Sequence, residues 1–331
     1  MYLIKKEILN PGDIILMKSD SRLSRIIREK SNSEFSHAML YMGQSSYIDS
    51  DGPGVQAHNI QRLIFDNEDD IVVLRLTNSN QIEILNQIEL FARQKIGTAY
   101  SLNEAFHVSE NGALLEPKEA NRQFCTRFVT QAYHSAGVNI VENFNYPTPN
   151  NILNSEFLSE IKNVVRKASE KEIKYAQSDS PLKTQIEIHN SIFAEARKIS
   201  KQDIQTFDQL HELIINYPEY DNEITEFVRN SGYLDIMEND FEKNPWHYNT
   251  EAFIEHYKSK EMMLKVINEL SVIDNRINLA LKETIINTEK ELEKYDREFL
   301  KEHLGQYKKL KSYIDMRLDT TNEVFKRIFK K

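Results

Sequence analysis

The sequence predicts an α+β domain followed by an all-α extension. Three observations carry this. Short apolar runs separated by turn residues fill the first half. Seven of the nine glycines precede residue 165, leaving only Gly232 and Gly305 after it. Residues 250–331 are rich in Lys, Glu, Leu and Ile, a helix-forming composition. The expected division is 1–165 for the α+β domain and 166–331 for the helical bundle or coiled-coil-like extension.

The elements follow in order. Pro11-Gly12-Asp13 reads as a turn and Ile14–Lys18 as a buried strand. Residues 20–30 read as a short helix capped by Asp20 or Ser21, with Leu23, Ile26 and Ile27 inward. Arg22, Arg25 and Arg28 lie around its other side. Residues 36–43 and 46–50 read as a hairpin, Asp51-Gly52-Pro53-Gly54 as a turn, and 55–60 as a third strand. Residues 71–76 are the clearest strand, in an antiparallel sheet. A helix is expected from Ser79 or Asn80 to Lys95, then an irregular stretch over 98–121. A helix follows from Cys125, with Phe128, Val129, Ala132 and Tyr133 at helical spacing and Gly137 at its end. Residues 138–141 read as a short strand and 146–149 as a rigid turn. Residues 180–216 are apolar at helical spacing. Two long helices, broken near Gly305, are expected over 250–331 as an antiparallel or coiled-coil-like pair.

Composition narrows the function. A net charge of −9 argues against general nucleic-acid binding. A single cysteine rules out an internal disulfide and a cysteine-built zinc site. No histidine spacing suggests a metal, and no cofactor motif stands out. The N-terminus lacks a secretory pattern, and no run approaches a membrane span. These features fit a cytoplasmic protein, or one exported without a cleavable signal.

The chemistry centres on Cys125. A thiol opening a helix sits near the positive end of the helix dipole, which favours thiolate. A cysteine nucleophile needs a base, and the base needs an orienting partner. His37 heads an apolar strand behind the polar run Ser31–Glu34. Asp49 lies on the return strand. Alternation puts His37, Met39 and Tyr41 on one face, and Tyr47, Asp49 and Asp51 on one face of the partner strand. The two faces coincide only if opposed residue numbers sum to an even value, which calls for an odd-length loop; a two-residue loop would turn Asp49 away.

Taken together, Pro11–Leu16, Phe35–Gly43, Tyr47-Ile48-Asp49, Gly52–Val55, Gly97–Tyr100 and Phe124–Val129 resemble one family. It is the circularly permuted, NlpC-type branch of the papain-like cysteine hydrolases, the YiiX/YebB-like group. Lecithin:retinol acyltransferase belongs to the same broad superfamily. The resemblance covers about residues 10–155. It implies a permuted papain-like fold and a Cys125–His37–Asp49 triad acting on an amide, ester or thioester through an acyl-enzyme. It also implies an oxyanion hole that includes the Cys125 N–H. Tyr41, Tyr47, Tyr100 and Asp51 are expected to line the cleft. Thr126-Arg127 departs from the usual serine and acidic residue, and is expected to alter the substrate groove. The expected partners are an acyl- or peptide-type substrate and a protein, or a second copy, on the helical half. The rival reading is a non-catalytic ligand- or protein-binding module with a helical interaction arm, such as an effector.

Overall fold

The computed structural model describes residues 1–18, 22–77, 82–108, 116–236, 241–242 and 244–329. They form two compact units: Met1–Phe193 with Asp203–Gln209, and Ala194–Gln202 with Leu210–Lys331.

The first unit is built on a six-stranded sheet. Its strands are β2 (Ile14–Met17), β3 (His37–Gly43), β4 (Ser46–Asp51), β5 (Gly54–Asn59), β6 (Ile71–Leu76) and β7 (Leu158–Glu160), in the order β5-β4-β3-β2-β6-β7. Every pairing is antiparallel. A smaller sheet pairs β1 (Tyr2–Ile4) with β8 (Val165–Lys167). The strands β1, β7 and β8 are too short to leave a period in the sequence.

The apolar runs are continuous because both faces of the large sheet are covered. On one face Ile14, Leu16, Ala38, Leu40, Ile48, Val55 and Leu74 meet α2 (Ile82–Gln94) and α4 (Cys125–Ser135). On the other face Ile15, Met39, Tyr41, Tyr47, Ile71 and Val73 pack with Ile4, Ile60 and Phe65. Burying each such side chain contributes roughly 1.5–3 kcal/mol before chain entropy is counted.

Several expectations are corrected. The irregular stretch contains a short helix, α3 (Leu102–Phe106). Residues 138–141 form no strand: they belong to the loop after α4, from which Ile140 is buried in the core. The turn at 146–149 leads into α5 (Pro149–Leu153), with proline at the first helical position and Thr148 capping Asn151 N–H. The α1 helix runs from Arg22 to Ser31, while its expected caps, Asp20 and Ser21, lie outside the described residues. The same holds for the expected start of α2 at Ser79 or Asn80.

One glycine draws the Tyr100 segment onto the sheet. Gly54 has φ +99, and a Cβ there would stand 2.4 Å from the Thr98 carbonyl oxygen. That carbonyl accepts the Val55 N–H at 2.8 Å, and Val55 O accepts the Gly97 N–H at 2.9 Å. Gly54→Ala is expected to lower stability by about 2 kcal/mol through clash and left-handed strain. A lower urea midpoint at unchanged slope measures it.

The helices α6 (Glu170–Gln177), α7 (Leu182–Ser200), α8 (Phe207–Asn216), α9 (Asp221–Asn230) and α10 (Thr250–Tyr257) precede a long pair, α11 (Lys260–Tyr295) and α12 (Glu298–Phe329). In the second unit α11 and α12 run antiparallel, tied by Asp274–Arg317, Asn278–Asp315 and Glu289–Lys308. The break between them is not at Gly305, which lies inside α12. It falls at Asp296, left-handed with φ 44, where the chain stops one helix. The next is started by Asp221, whose carboxylate accepts the Glu298 and Phe299 N–H groups at 2.7 and 2.9 Å. A glycine inside a helix costs only about 1 kcal/mol, which the pairing of two long helices outweighs. No helix among the described residues is long and apolar enough to cross a membrane.

Candidate active site

The site forms where the two faces of the sheet meet at one end of β3. The thiol belongs to the helix on one face, and His37 and Asp49 belong to the other. They approach because His37 is the first residue of β3 and Cys125 the first of α4.

The hairpin satisfies the face rule by an unexpected route. Its turn has two residues, Gln44 and Ser45, both left-handed with φ 52 and 63. Such a turn fits the twist of a hairpin. Gly43 pairs with Ser46, which alone would turn Asp49 to the wrong face. A bulge between Tyr41 and Gly43 restores the register, so that Met39 opposes Asp49 and Tyr41 opposes Tyr47. The Tyr41 hydroxyl accepts the Ser45 N–H at 3.2 Å. Tyr41 therefore serves the turn, buried beneath the sheet, and it does not line the cleft.

His37 Nε2 lies 2.6 Å from Asp49 Oδ2. This leaves Nδ1 as the ring nitrogen that Asp49 does not engage, with Cys125 close enough for its charge to act on the imidazole. The Cys125 Sγ is 4.0 Å from the Ser36 carbonyl oxygen. Burial works against a charge on His37, but the negative charge of Cys125 and the Asp49 bond overcome it and raise its pKa well above the usual value. Burial likewise works against the Asp49 carboxylate, and the hydrogen bond with His37 and the neighbouring His58 imidazole bring its pKa down to about 2. Asp51 moves the other way, raised by burial and by the charge of Asp49.

A cavity of about 630 Å³ opens beside these groups. Met17, Ile27, Met39, Leu63 and Leu102 give it apolar walls; Ser36, His37, Tyr47, Asp49, Asp51 and Tyr100 provide its polar groups. Tyr100 pairs with Gln123, and Ser101 N–H donates to Gln123 O at 2.7 Å, holding this loop next to the residues that lead into Cys125. Burial and the charge of Cys125 raise the Tyr100 pKa, so its hydroxyl stays protonated.

Arg127 is not a groove residue. It is fully buried, donating from Nε to Asn145 O at 2.8 Å and from Nη1 to Glu104 Oε2 at 2.7 Å. Its guanidinium lies over the Phe124 and Tyr146 rings. Thr126 Oγ1 donates to Pro147 O at 2.7 Å. The unusual pair after the cysteine thus points inward and pins the loop over 143–147 to the first turn of α4.

The sequence reading missed His58. Its Nε2 lies 3.3 Å from Asp49 Oδ1, and its ring stacks on Tyr47 at 5.3 Å. The signal was countable. Asp51 pairs with Gly54 across a two-residue turn, so Asp49 opposes Gln56 and Tyr47 opposes His58.

A thiol at a helix start, an imidazole on a strand and a carboxylate on the return strand, in the order histidine first and cysteine last, define a permuted papain-like domain. Residues 8–171 match the model of the permuted papain-like amidase family YaeF/YiiX, family C92. A solved structure described as the metalloprotein yiiX from Escherichia coli O157:H7 is 18% identical, covering 46% of this chain and 96% of that one at a TM-score of 0.37. That likeness is too low to add to the family match. No curated protein matches the chain.

Proposed function

We propose that the protein is a cysteine-dependent amidase-type hydrolase or acyltransferase of the NlpC-type branch, with Cys125, His37 and Asp49 as its triad. The single observation that carries the reading is His37 bonded to Asp49 at 2.6 Å next to Cys125, whose Sγ lies against the Ser36 carbonyl at a helix start. In this mechanism the Cys125 thiolate attacks the carbonyl carbon of an amide, ester or thioester. The Cys125 N–H, which has no acceptor within its helix, helps hold the oxyanion. As the tetrahedral intermediate collapses, the bond to the leaving group breaks and the His37 imidazolium gives that group its proton. Water or another acceptor then attacks the thioester, His37 takes the incoming proton, and Cys125 leaves as thiolate, restoring the ion pair.

Asp49 keeps His37 in the tautomer that presents Nδ1 to the thiol. Tyr47, Tyr100 and Asp51 are the polar contacts for the substrate, and the apolar walls suit the hydrocarbon part of an acyl or peptidyl group. On this reading residues 1–165 carry the chemistry and 166–331 form an interaction arm.

A covalent trap tests the proposal. The protein is incubated with a panel of amide, ester and thioester acyl probes, and the adduct is mapped by mass spectrometry. An acyl group on Cys125, absent from Cys125→Ala, is expected. A folded protein that no probe acylates favours the binding-module reading.

A further inference from the structure

The Asp49 carboxylate has a histidine at each oxygen. His37 Nε2 meets Oδ2 at 2.6 Å, and His58 Nε2 faces Oδ1 at 3.3 Å. Both Asp49 Oδ1 and His58 Nε2 are buried, and neither has a well-aligned hydrogen-bond partner among the described residues, so each is the other's nearest polar neighbour as an ion pair. Without His58, that oxygen of a buried carboxylate faces no polar group, and the carboxylate is free to rotate away from His37. The Tyr47 ring, stacked on His58, keeps the imidazole in place.

We propose that His58 is a positioning residue: it fixes the Asp49 carboxylate so that Oδ2 faces His37, and its protonation lessens the support that Asp49 gives the His37 imidazolium. The inference rests on the triad reading above. When His58 is neutral, the full charge of Asp49 serves His37. When His58 gains a proton, that charge is shared between two cations, and the imidazolium of His37 is less favoured. The other groups facing this pair are Asp51 and Tyr47 on β4, Tyr100 on the loop before α3, and Cys125 on α4. Burial opposes a charge on His58, but the Asp49 carboxylate, joined by the charge of Asp51, raises its pKa above the ordinary histidine value.

The test uses the full chain with nitrogen-15-labelled histidine, titrated by NMR from about pH 5 to 9 around the ordinary histidine value, alongside Cys125 alkylation rates. The His37 curve of the wild type is expected to carry a second inflection at the midpoint of His58, and His58→Leu to remove it. At neutral pH, His58→Leu is expected to slow alkylation about tenfold, with His58→Gln restoring the rate to within about threefold of wild type, because its amide also donates to Oδ1. The role is overturned if His58→Leu leaves the His37 curve and the alkylation rate unchanged, or if His58→Gln loses as much as His58→Leu. Failure of the catalytic reading is separate: an inert Cys125 in the wild type ends that reading, while the coupling of His37 to His58 is still read by NMR.

Discussion

Asp49→Ala is expected to slow acylation of Cys125 by a reactive acyl probe roughly 10³- to 10⁴-fold, the loss seen when a triad loses its orienting carboxylate. The substitution removes both the charge that favours the His37 imidazolium and the acceptor that fixes its tautomer. Asp49→Asn separates the two: an amide keeps a hydrogen bond but not the charge. With burial then less opposed, the pKa of His37 falls, and the alkaline limb of the acylation profile moves to lower pH.

Stability carries the same signature, with opposite signs for the two partners. The folded pKa of Asp49, about 2, lies below its ordinary 3.8. Its contribution is therefore present above 3.8 and lost as the pH falls through about 2. The folded pKa of His37 is raised, so its contribution is complete below 6.5 and lost as the pH rises through the raised value. Wild type and Asp49→Asn should differ most between about pH 4 and 6.5, by on the order of 2 kcal/mol. Urea titrations at several pH values measure this difference.

Arg127→Met is expected to destabilise the protein by about 3–5 kcal/mol, because it strands a buried carboxylate. Glu104 takes hydrogen bonds from Arg127, from the Tyr146 hydroxyl at 2.5 Å and from the Lys118 N–H at 2.9 Å. Burial would raise its pKa, yet Arg127 and Tyr146 bring it down, so the folded state is built around the ionised form. The double variant Arg127→Met/Glu104→Leu removes both charges and should recover much of the loss. Arg127→Lys should fall between, since one ammonium cannot serve both Asn145 O and Glu104 as the guanidinium fork does. Thermal unfolding of the four proteins decides it. Because the network anchors the first turn of α4, Arg127→Met should also slow Cys125 alkylation below its unfolding temperature.

The parts of this fold legible in the sequence are those governed by short-range rules. Apolar runs and turn residues mark β2 through β6, and helical spacing with a terminal glycine marks α4. What the sequence left hidden depends on contacts distant in the chain. Arg127 reads as a groove residue until Glu104, 23 positions earlier, is seen to pair with it. Propensity alone puts the stop between α11 and α12 at Gly305, but the cap comes from Asp221, 77 residues before the helix it starts.

The site itself was half legible. His37, Asp49 and Cys125 carry its order, and parity of register shows what their meeting requires. The way the chain meets that requirement, a two-residue turn corrected by a bulge, does not show in alternation, because Met42 is apolar and buried like its neighbours. The role of His58 lies one strand beyond that hairpin, where the Gly52-Pro53 turn sets Tyr47 opposite His58.

The central claim is that Cys125 and His37 form a reactive pair, and alkylation by iodoacetamide at about pH 6 tests it most directly. A free thiol is only about 0.3% thiolate there and reacts slowly. The account predicts that Cys125 in the folded protein reacts at least roughly tenfold faster than a free thiol, and that His37→Ala abolishes the excess. A Cys125 no more reactive than a free thiol, or one whose rate His37→Ala leaves unchanged, would contradict it.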